Sequence, residues 1–461
     1  MRHPVTGLYH LFYQWDPTSN VGFANMHWGH AVSSDMLRWR HLPVALYPDS
    51  GSCGGEWSGS ATTDAPATAA AGGVVLSYSV QCNSYFGQAV PVDPADPLLL
   101  NWTANHVVGH KAPGTGGFRD PSTAWKGEDG VWRQLLACNG AACLYNSTDF
   151  ATWAFAGHAA GNGTGPTWEM PDIFPLPGSS DWFLKVGGED GTDYWTTGAF
   201  DEASDTFVVG AGAVPLLSQK QRMDFGLFYS SKSFADRGAS ERALIGWVGE
   251  GDGVGSPLKG WAGVQSAPRV VKPDADFPGR VTFEPLASLA SLRDNSSAVH
   301  LSGVSVPARS ALAVAGVAGV QLDVLATFQG PFAPGATFGL AVLATAGGGG
   351  ADGVNATIFI NSTGLAWLSV GPHSGGFRLP AGGDSMDLRV LVDRSMVEVF
   401  AAGGRGVATH RAFLGPSSTG VFVVNGGGAP VTVASLDAFR MNNATAPSLN
   451  ELRAAAAQPR L

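Results

Sequence analysis

No run of lysine or arginine occurs anywhere in these 461 residues, and the formal net charge is −10. Binding to a phosphate backbone draws on clustered cations that release counterions, so a nucleic-acid partner is excluded. Charged residues of every kind amount to only 14%, too few for long solvated helices. A comfortable membrane span is lacking as well. Residues 311–328 come nearest, but they include Gln321 and Asp323 and read as sandwich strands. Met1-Arg2-His3-Pro4 is not a basic region leading into an apolar stretch, so no signal peptide is visible. The four cysteines, Cys53, Cys82, Cys138 and Cys143, are too few for a disulfide scaffold and lack zinc-finger spacing. Cys138 and Cys143 flank Asn-Gly-Ala-Ala between two apolar runs, placed either to bridge a hairpin or to stay as buried thiols. No glycine run is followed by Lys-Ser/Thr, so there is no phosphate loop. His27 and His30 stand three apart without a third ligand of matching pattern, and with His10 they read as hydrogen-bonded histidines. No metal and no cofactor is expected.

What is abundant is glycine, with 63 residues, and tryptophan, with 14. That mixture suits many short strands joined by turns, hence an all-β protein. Leu8 to Gln14, Val74 to Tyr78, Val131 to Leu136 and Trp182 to Val186 are apolar stretches that each lead into a turn. Such spacing fits a sandwich, barrel or propeller, and no strict repeat chooses among them. The length suits two domains. Between Ala287 and Val299 the strand texture lapses into polar residues such as Arg293-Asp294-Asn295-Ser296-Ser297. The boundary is expected there, with one domain over 1–290 and a second, of sandwich texture, over 298–445. In that second part Val320 to Phe328, Phe338 to Leu343, Ala356 to Ile360, Leu388 to Phe400 and Gly420 to Val424 read as strands. Residues 446–461 form a short helix or a tail, opened by a plausible N-cap at Ser448. Seven Asn-X-Ser/Thr sequons, at Asn101, Asn146, Asn162, Asn295, Asn355, Asn361 and Asn443, point to a secretory history.

Two carboxylates and an indole share one short segment, Trp168-Glu169-Met170-Pro171-Asp172. With Phe118-Arg119-Asp120-Pro121 they suggest a sugar-cleaving site. Such chemistry needs one carboxyl to protonate the leaving oxygen, others to manage oxocarbenium charge, and aromatic faces to hold a ring. Asp120 has a cation on one side and a rigid proline on the other, which helps keep it ionised; an ordinary turn-entry ion pair would look the same. Glu169 lies beside an indole and ahead of apolar residues, a setting able to raise its pKa toward that of a general acid, or simply a strand end. Tyr13-Gln14-Trp15-Asp16, Trp28-Gly29-His30 and Glu56-Trp57-Ser58-Gly59-Ser60 supply indoles, amides and hydroxyls for a sugar.

Taken together, the chain resembles glycoside hydrolase family 32, the β-fructofuranosidases, especially the plant acid invertases and fructan enzymes. The resemblance runs over nearly the whole chain. It rests on Tyr9-His10-Leu11-Phe12-Tyr13-Gln14, Trp28-Gly29-His30-Ala31-Val32-Ser33, Leu37-Arg38-Trp39-Arg40-His41-Leu42-Pro43 and Trp57-Ser58-Gly59-Ser60-Ala61. Further matches are Phe118 to Pro121, Trp168-Glu169, Asp193-Tyr194, Met223-Asp224-Phe225-Gly226 with Phe228-Tyr229, Gly260 to Gly263, and Val392 to Glu398. The resemblance implies a five-bladed β-propeller followed by a β-sandwich. It also implies retaining cleavage of a β-fructosyl bond through a covalent intermediate. By position, Glu169 is then the general acid/base and Asp120 the transition-state stabiliser. Gln14, Trp57, Ser58, Arg119 and Asp224 become parts of a fructose pocket, with Trp28 as wall. The expected partner is a small sugar, sucrose or a fructan, and the expected form is a monomer or homodimer, secreted or vacuolar.

Three departures accompany the resemblance. The family's nucleophile is an aspartate in a Trp-Met-Asn-Asp-Pro-Asn-Gly segment shortly before the Tyr9 strand, and here no Asp precedes Tyr9. The expectation is a truncated reading of a longer protein, with Met1 an internal methionine; without the missing segment the chain would be a catalytically inactive sugar binder. Asp16 stands where the family commonly has Asn, but at a different point of the strand, and retaining chemistry tolerates little displacement. Met170 replaces the usual Cys, and Phe23 replaces an expected Trp upstream of Trp28.

Overall fold

The computed structural model describes residues 1–458 except 22, 24, 49–53, 67–72, 81–84, 214, 215, 217–220, 237–240, 251–258 and 381. Cys53 and Cys82 therefore lie outside the described residues. Five antiparallel sheets come first, each made of strands adjacent in sequence. Sheet 1 holds β1 (Tyr9–Trp15), β2 (His27–Ser33) and β3 (Arg40–Leu46). Sheet 2 holds β4 (Glu56–Thr62), β5 (Val75–Val80), β6 (Tyr85–Pro91) and β7 (Trp102–His110). Sheet 3 holds β8 (Trp125–Lys126), β9 (Trp132–Cys138), β10 (Ala141–Ser147) and β11 (Ala154–Gly161). Sheet 4 holds β12 (Glu169–Pro175), β13 (Trp182–Gly187), β14 (Asp193–Asp201) and β15 (Thr206–Val209). Sheet 5 holds β16 (Phe228–Asp236), β17 (Glu241–Val248), β18 (Val264–Gln265), β19 (Arg269–Pro273) and β20 (Val281–Pro285). They are the blades of a five-bladed β-propeller. Because blades pack face to face, their middle strands are covered on both sides. Hence β2 and β9 are buried at every position, and their sequences do not alternate as a half-exposed strand would.

The β9–β10 hairpin turns through Asn139-Gly140, with Cys138 paired to Ala141. Gly140 has φ +56°, and a Cβ there would overlap the Thr164 carbonyl, so this turn requires glycine. Of the two readings left open for the cysteines, the structure has the bond: Cys138 and Cys143 are disulfide-linked across this hairpin.

A 3₁₀ turn over Ala287–Leu292 leads into the second domain. Its strands are β21 (Arg293–Val306), β22 (Ser310–Ala313), β23 (Gln321–Gln329), β24 (Thr337–Ala344), β25 (Val354–Ile360) and β26 (Ala366–Val370). Then come β27 (His373–Phe377), β28 (Ser385–Asp393), β29 (Met396–Ala401), β30 (Gly406–Arg411), β31 (Gly420–Asn425) and β32 (Val431–Met441). They form two six-stranded sheets, β21-β32-β23-β28-β29-β30 and β22-β31-β24-β25-β26-β27. One apolar core fills the space between them, including Val324, Phe328, Leu340, Ile358, Leu368 and Val399. Here the strands do alternate, β25 most plainly.

Two expectations need adjusting. The polar tract Arg293 to Ser297 is part of β21, at a register shift between Asp294 and Val299 where the side chains of Asp294 and Ser297 bond to nearby backbone. The bulge explains its polarity. Leu388 to Phe400 is a hairpin rather than one strand, turning at Arg394, whose φ is +53°. The C-terminal segment is a helix, α1 (Leu449–Ala456), closed by a reciprocal capping box between Ser448 and Glu451. Its Leu452 is buried with Leu8, Val32 and Leu98, so the helix docks on the first two blades.

Candidate active site

The inner strands of the blades meet at a cavity of about 1090 Å³. Three of those strands depart from regular β geometry where they reach the cavity. β4 shifts register between Trp57 and Gly59, β12 between Glu169 and Asp172, and β16 between Tyr229 and Lys232. Met170 and Ser230 sit at φ +47° and +53° inside the last two bulges, and Asp120 at φ +57° ahead of β8. A bulge adds a residue and re-aims the neighbouring side chains. Positive φ at non-glycine residues costs free energy that surrounding bonds must offset. In this way polar side chains that a regular strand would send between blades are turned into the cavity.

Arg119, Glu169 and Tyr229 form one hydrogen-bonded group, with Asp120 beside Arg119. The Arg119 guanidinium pairs with Glu169 Oε1 and the Tyr229 hydroxyl donates to Glu169 Oε2, so both carboxylate oxygens are held. Tyr229 also approaches the Gly188 carbonyl at 3.1 Å. Asp120 is 5% exposed. Its Oδ2 accepts the Met170 amide at 3.1 Å and lies 3.7 Å from Arg119 Nε, while its own amide donates to Ser79 Oγ at 2.6 Å. Burial pushes the Asp120 carboxyl above the ordinary range, and Arg119, Lys232 and the Met170 amide oppose that shift. Burial and the Glu169 carboxylate push the Tyr229 phenol well above its usual value, so it stays a neutral donor.

Of the residues expected in the pocket, Gln14, Trp28, Trp57, Ser58, Arg119, Asp120 and Glu169 all line this cavity. Gln14 Nε2 donates to the Glu56 carbonyl at 3.1 Å, and Trp28 Nε1 to the Trp57 carbonyl at 3.1 Å. Gln14 Oε1, Trp57 Nε1 and Ser60 Oγ are buried with no protein partner among the described residues. Hydrogen-bonding capacity next to aromatic surface suits a ligand rich in hydroxyls. Phe23 is 61% exposed, with its ring 6.3 Å from that of Trp57, an aromatic wall at the mouth.

Asp224 is not brought to this cavity. It is 2% exposed, and its carboxylate binds the Thr409 amide at 2.8 Å, Thr409 Oγ1 at 2.7 Å and Arg269 at 2.9 Å. Arg269 also pairs with Glu398 of the sandwich at 2.8 Å, and the neighbouring Phe225 enters the sandwich core. The Met223 to Gly226 motif therefore clamps propeller to sandwich; sequence alone could not tell a buried clamp from a ligand contact.

Asp16 lines the cavity, but its Oδ1 caps the Thr18 amide and hydroxyl at 2.9 and 2.6 Å, and its Oδ2 takes the Asn25 amide at 3.2 Å. It is a turn-capping carboxylate. Glu250, also on the wall, is engaged by Lys259, Arg411 and the Gly263 amide. Tyr229 and Lys232 were given no part in the site from sequence. The signal for Tyr229 was its place at the start of an inner strand, as with Glu169. His27 and His30, weighed as ligands, bond instead to the Asn25 carbonyl at 2.9 Å and to His10 at 3.0 Å. Among the described residues no cluster of three potential metal ligands occurs, and no helix is long and apolar enough to cross a membrane.

Residues 3–280 match the model of the glycosyl hydrolases family 32 N-terminal domain, and residues 288–440 that of the family 32 C-terminal domain. The chain is similar to the acid beta-fructofuranosidase of Phaseolus vulgaris, 32% identical over 95% of this chain and 77% of that one. It is also similar to the sucrose:sucrose 1-fructosyltransferase of Festuca arundinacea, 31% identical over 95% and 76%. Among solved structures it is similar to fructan 1-exohydrolase IIa of Cichorium intybus, with a TM-score of 0.84, 29% identity and coverage of 95% of this chain and 94% of that one.

Proposed function

Because the chain belongs to glycoside hydrolase family 32, we propose that its reaction is retaining hydrolysis of sucrose at the fructosyl side of the glycosidic bond. The observation that carries this is Glu169, held at both oxygens by Arg119 and Tyr229 and set beside buried Asp120. In the first step Glu169 protonates the bridging oxygen, glucose leaves, and an enzyme carboxylate bonds to the fructosyl carbon. Asp120 accepts hydrogen bonds from fructose hydroxyls and places negative charge against the oxocarbenium character of the transition state. In the second step Glu169 takes a proton from water, which releases fructose and regenerates the carboxylate.

The attacking carboxylate is the part that the described residues do not supply, since Asp16 and Glu250 are both committed elsewhere. The experiment compares sucrose hydrolysis by these 461 residues with that of a chain extended upstream by a Trp-Met-Asn-Asp-Pro-Asn-Gly segment. Turnover only in the extended form is the expected result. Equal turnover in both would move the nucleophile to a carboxylate of this sequence, Asp16 first.

A second reading, a fructan exohydrolase or fructosyltransferase, is favoured by one feature. A further cavity of about 560 Å³ between propeller and sandwich shares Tyr13, Trp15, Trp39 and Trp247 with the first. It gives a longer saccharide an aromatic-lined extension. Relative kcat/KM for sucrose and 1-kestose, with and without Trp247→Ala, separates the two. Four of the sequon asparagines, Asn101, Asn162, Asn295 and Asn443, are exposed, which suits a secreted or vacuolar glycoprotein; a mobility shift on deglycosylation would test that.

A further inference from the structure

One half-buried lysine in the cavity wall stands outside the Arg119–Glu169–Tyr229 hydrogen bonds. Lys232 lies three residues past Tyr229 on β16 and lines the same cavity as Asp120 and Glu169. Its Nζ donates to the Pro171 carbonyl at 3.2 Å. One residue earlier on β12, the Met170 amide donates to Asp120 Oδ2. One residue later, Asp172 Oδ2 accepts the Ser233 amide at 2.9 Å and its hydroxyl at 2.6 Å. The bulge of β12 is thus gripped from both sides, by the carboxylate ahead of β8 and by the facing bulge of β16.

We propose that Lys232 is a positioning residue for the reaction, fixing the bulged strand behind Glu169 through the Pro171 carbonyl and adding positive charge to the cavity wall it shares with Asp120. This rests on the roles given to Asp120 and Glu169 above. The physical reason is local charge balance. Asp120 is buried, and of the cations acting on it Arg119 is the stronger and Lys232 the next. Arg119 is shared with Glu169, so Lys232 is the cation that Glu169 does not engage directly. An opposite charge in a poorly solvated site favours the ionised carboxylate, and only an ionised Asp120 opposes developing positive charge on the sugar.

The charged groups facing Lys232 come from several strands: Asp172 on β12, Asp120 ahead of β8 and Asp193 on β14 attract it, and Lys185 on β13 repels it. Arg242 on β17 leans on Asp172 at 3.8 Å and competes for it. Desolvation outweighs them all and draws the Lys232 ammonium down to about 8. It is therefore charged at neutral pH and loses its proton as pH rises through that value.

The test is titration of the Asp120 carboxyl by ¹³C NMR in the full chain, as wild type, Lys232→Met and Lys232→Arg. The expected result is an Asp120 midpoint raised by roughly one pH unit or more in Lys232→Met and returned toward wild type in Lys232→Arg. An unmoved midpoint in Lys232→Met overturns the proposal. This readout needs no turnover, so it fails or succeeds apart from whether sucrose is the substrate. In the form that hydrolyses sucrose, Lys232→Met should lower kcat by about tenfold or more with KM nearly kept, and Lys232→Arg should push the alkaline limb above pH 8 to higher pH. If Lys232→Met does not fold, the Arg variant decides: an alkaline limb that stays where wild type has it overturns the proposal.

Discussion

Glu169 and Asp120 are both carboxylates in one cavity, and their environments differ. Glu169 is gripped by side chains that can exchange one bond for a leaving oxygen; Asp120 is buried and gripped by backbone amide and cation. Glu169→Gln removes the transferable proton and leaves an amide able to face Arg119 and Tyr229. Turnover should fall by about 10²–10⁴-fold, with the melting temperature close to wild type; an unaffected rate would remove Glu169 from the acid role. Asp120→Asn should raise KM and lower kcat together in the same sucrose assay. A change confined to thermal stability would make Asp120 an ordinary ion-pair residue. The notice to take Glu169 and Asp120 together was already present in Trp168-Glu169 and Arg119-Asp120-Pro121. Tyr229 was not marked in that way, because its value comes from a bulge that points its hydroxyl across to another blade.

Neighbouring strands settle the protonation of side chains that look alike in sequence. His10 on β1 and His30 on β2 are buried, 3.0 Å apart at Nδ1 and Nε2, with Phe12 stacked on His30 at 4.5 Å. Burial, and then the repulsion of a neighbouring cation, holds His30 down to about 3 and His10 well below its ordinary value. An unfolded histidine titrates near 6.5. The folded state therefore binds fewer protons than the unfolded state below that pH. The stability this pair contributes is full above about pH 6.5 and is lost progressively as pH falls toward 3, at about 1.4 kcal/mol per pH unit per histidine. His30→Gln keeps a nitrogen near the position of Nε2 and does not titrate. Urea unfolding at pH 7 and pH 5 should show a smaller acid loss in this variant, by roughly 2 kcal/mol. An identical loss in both proteins would mean that other groups set the acid sensitivity.

The two domains are joined through charge buried on both sides. Arg269 of β19 is fully buried, pairs with Asp224 and Glu398, bonds Thr409 at 2.8 Å and stacks on Phe228 at 4.0 Å. Removing one partner of such a cluster leaves charge unbalanced in a medium that cannot solvate it, which costs about 3–5 kcal/mol. Asp224→Asn should accordingly lower the urea midpoint strongly while the KM for sucrose stays near wild type. A raised KM at unchanged stability would return Asp224 to the sugar pocket. This is a whole-molecule property, since the partners come from segments more than a hundred residues apart, as in the Arg269–Glu398 bond.

By itself the sequence determined the all-β class and the family and marked Glu169 and Asp120 as candidate carboxylates, because these depend on residue type and short-range order: a carboxylate beside an indole, an arginine before an aspartate, alternation in strands such as β25. Only the tertiary structure decided which side chains share the cavity. It placed Asp224 in a domain clamp, committed Asp16 to its own turn, turned Leu388 to Phe400 into a hairpin, and brought Tyr229 and Lys232 to the bulge of β12. The physical reason is that a side chain's role depends on its distance to groups remote in the chain, and those distances are set by blade packing and by bulges that local residue preferences do not specify.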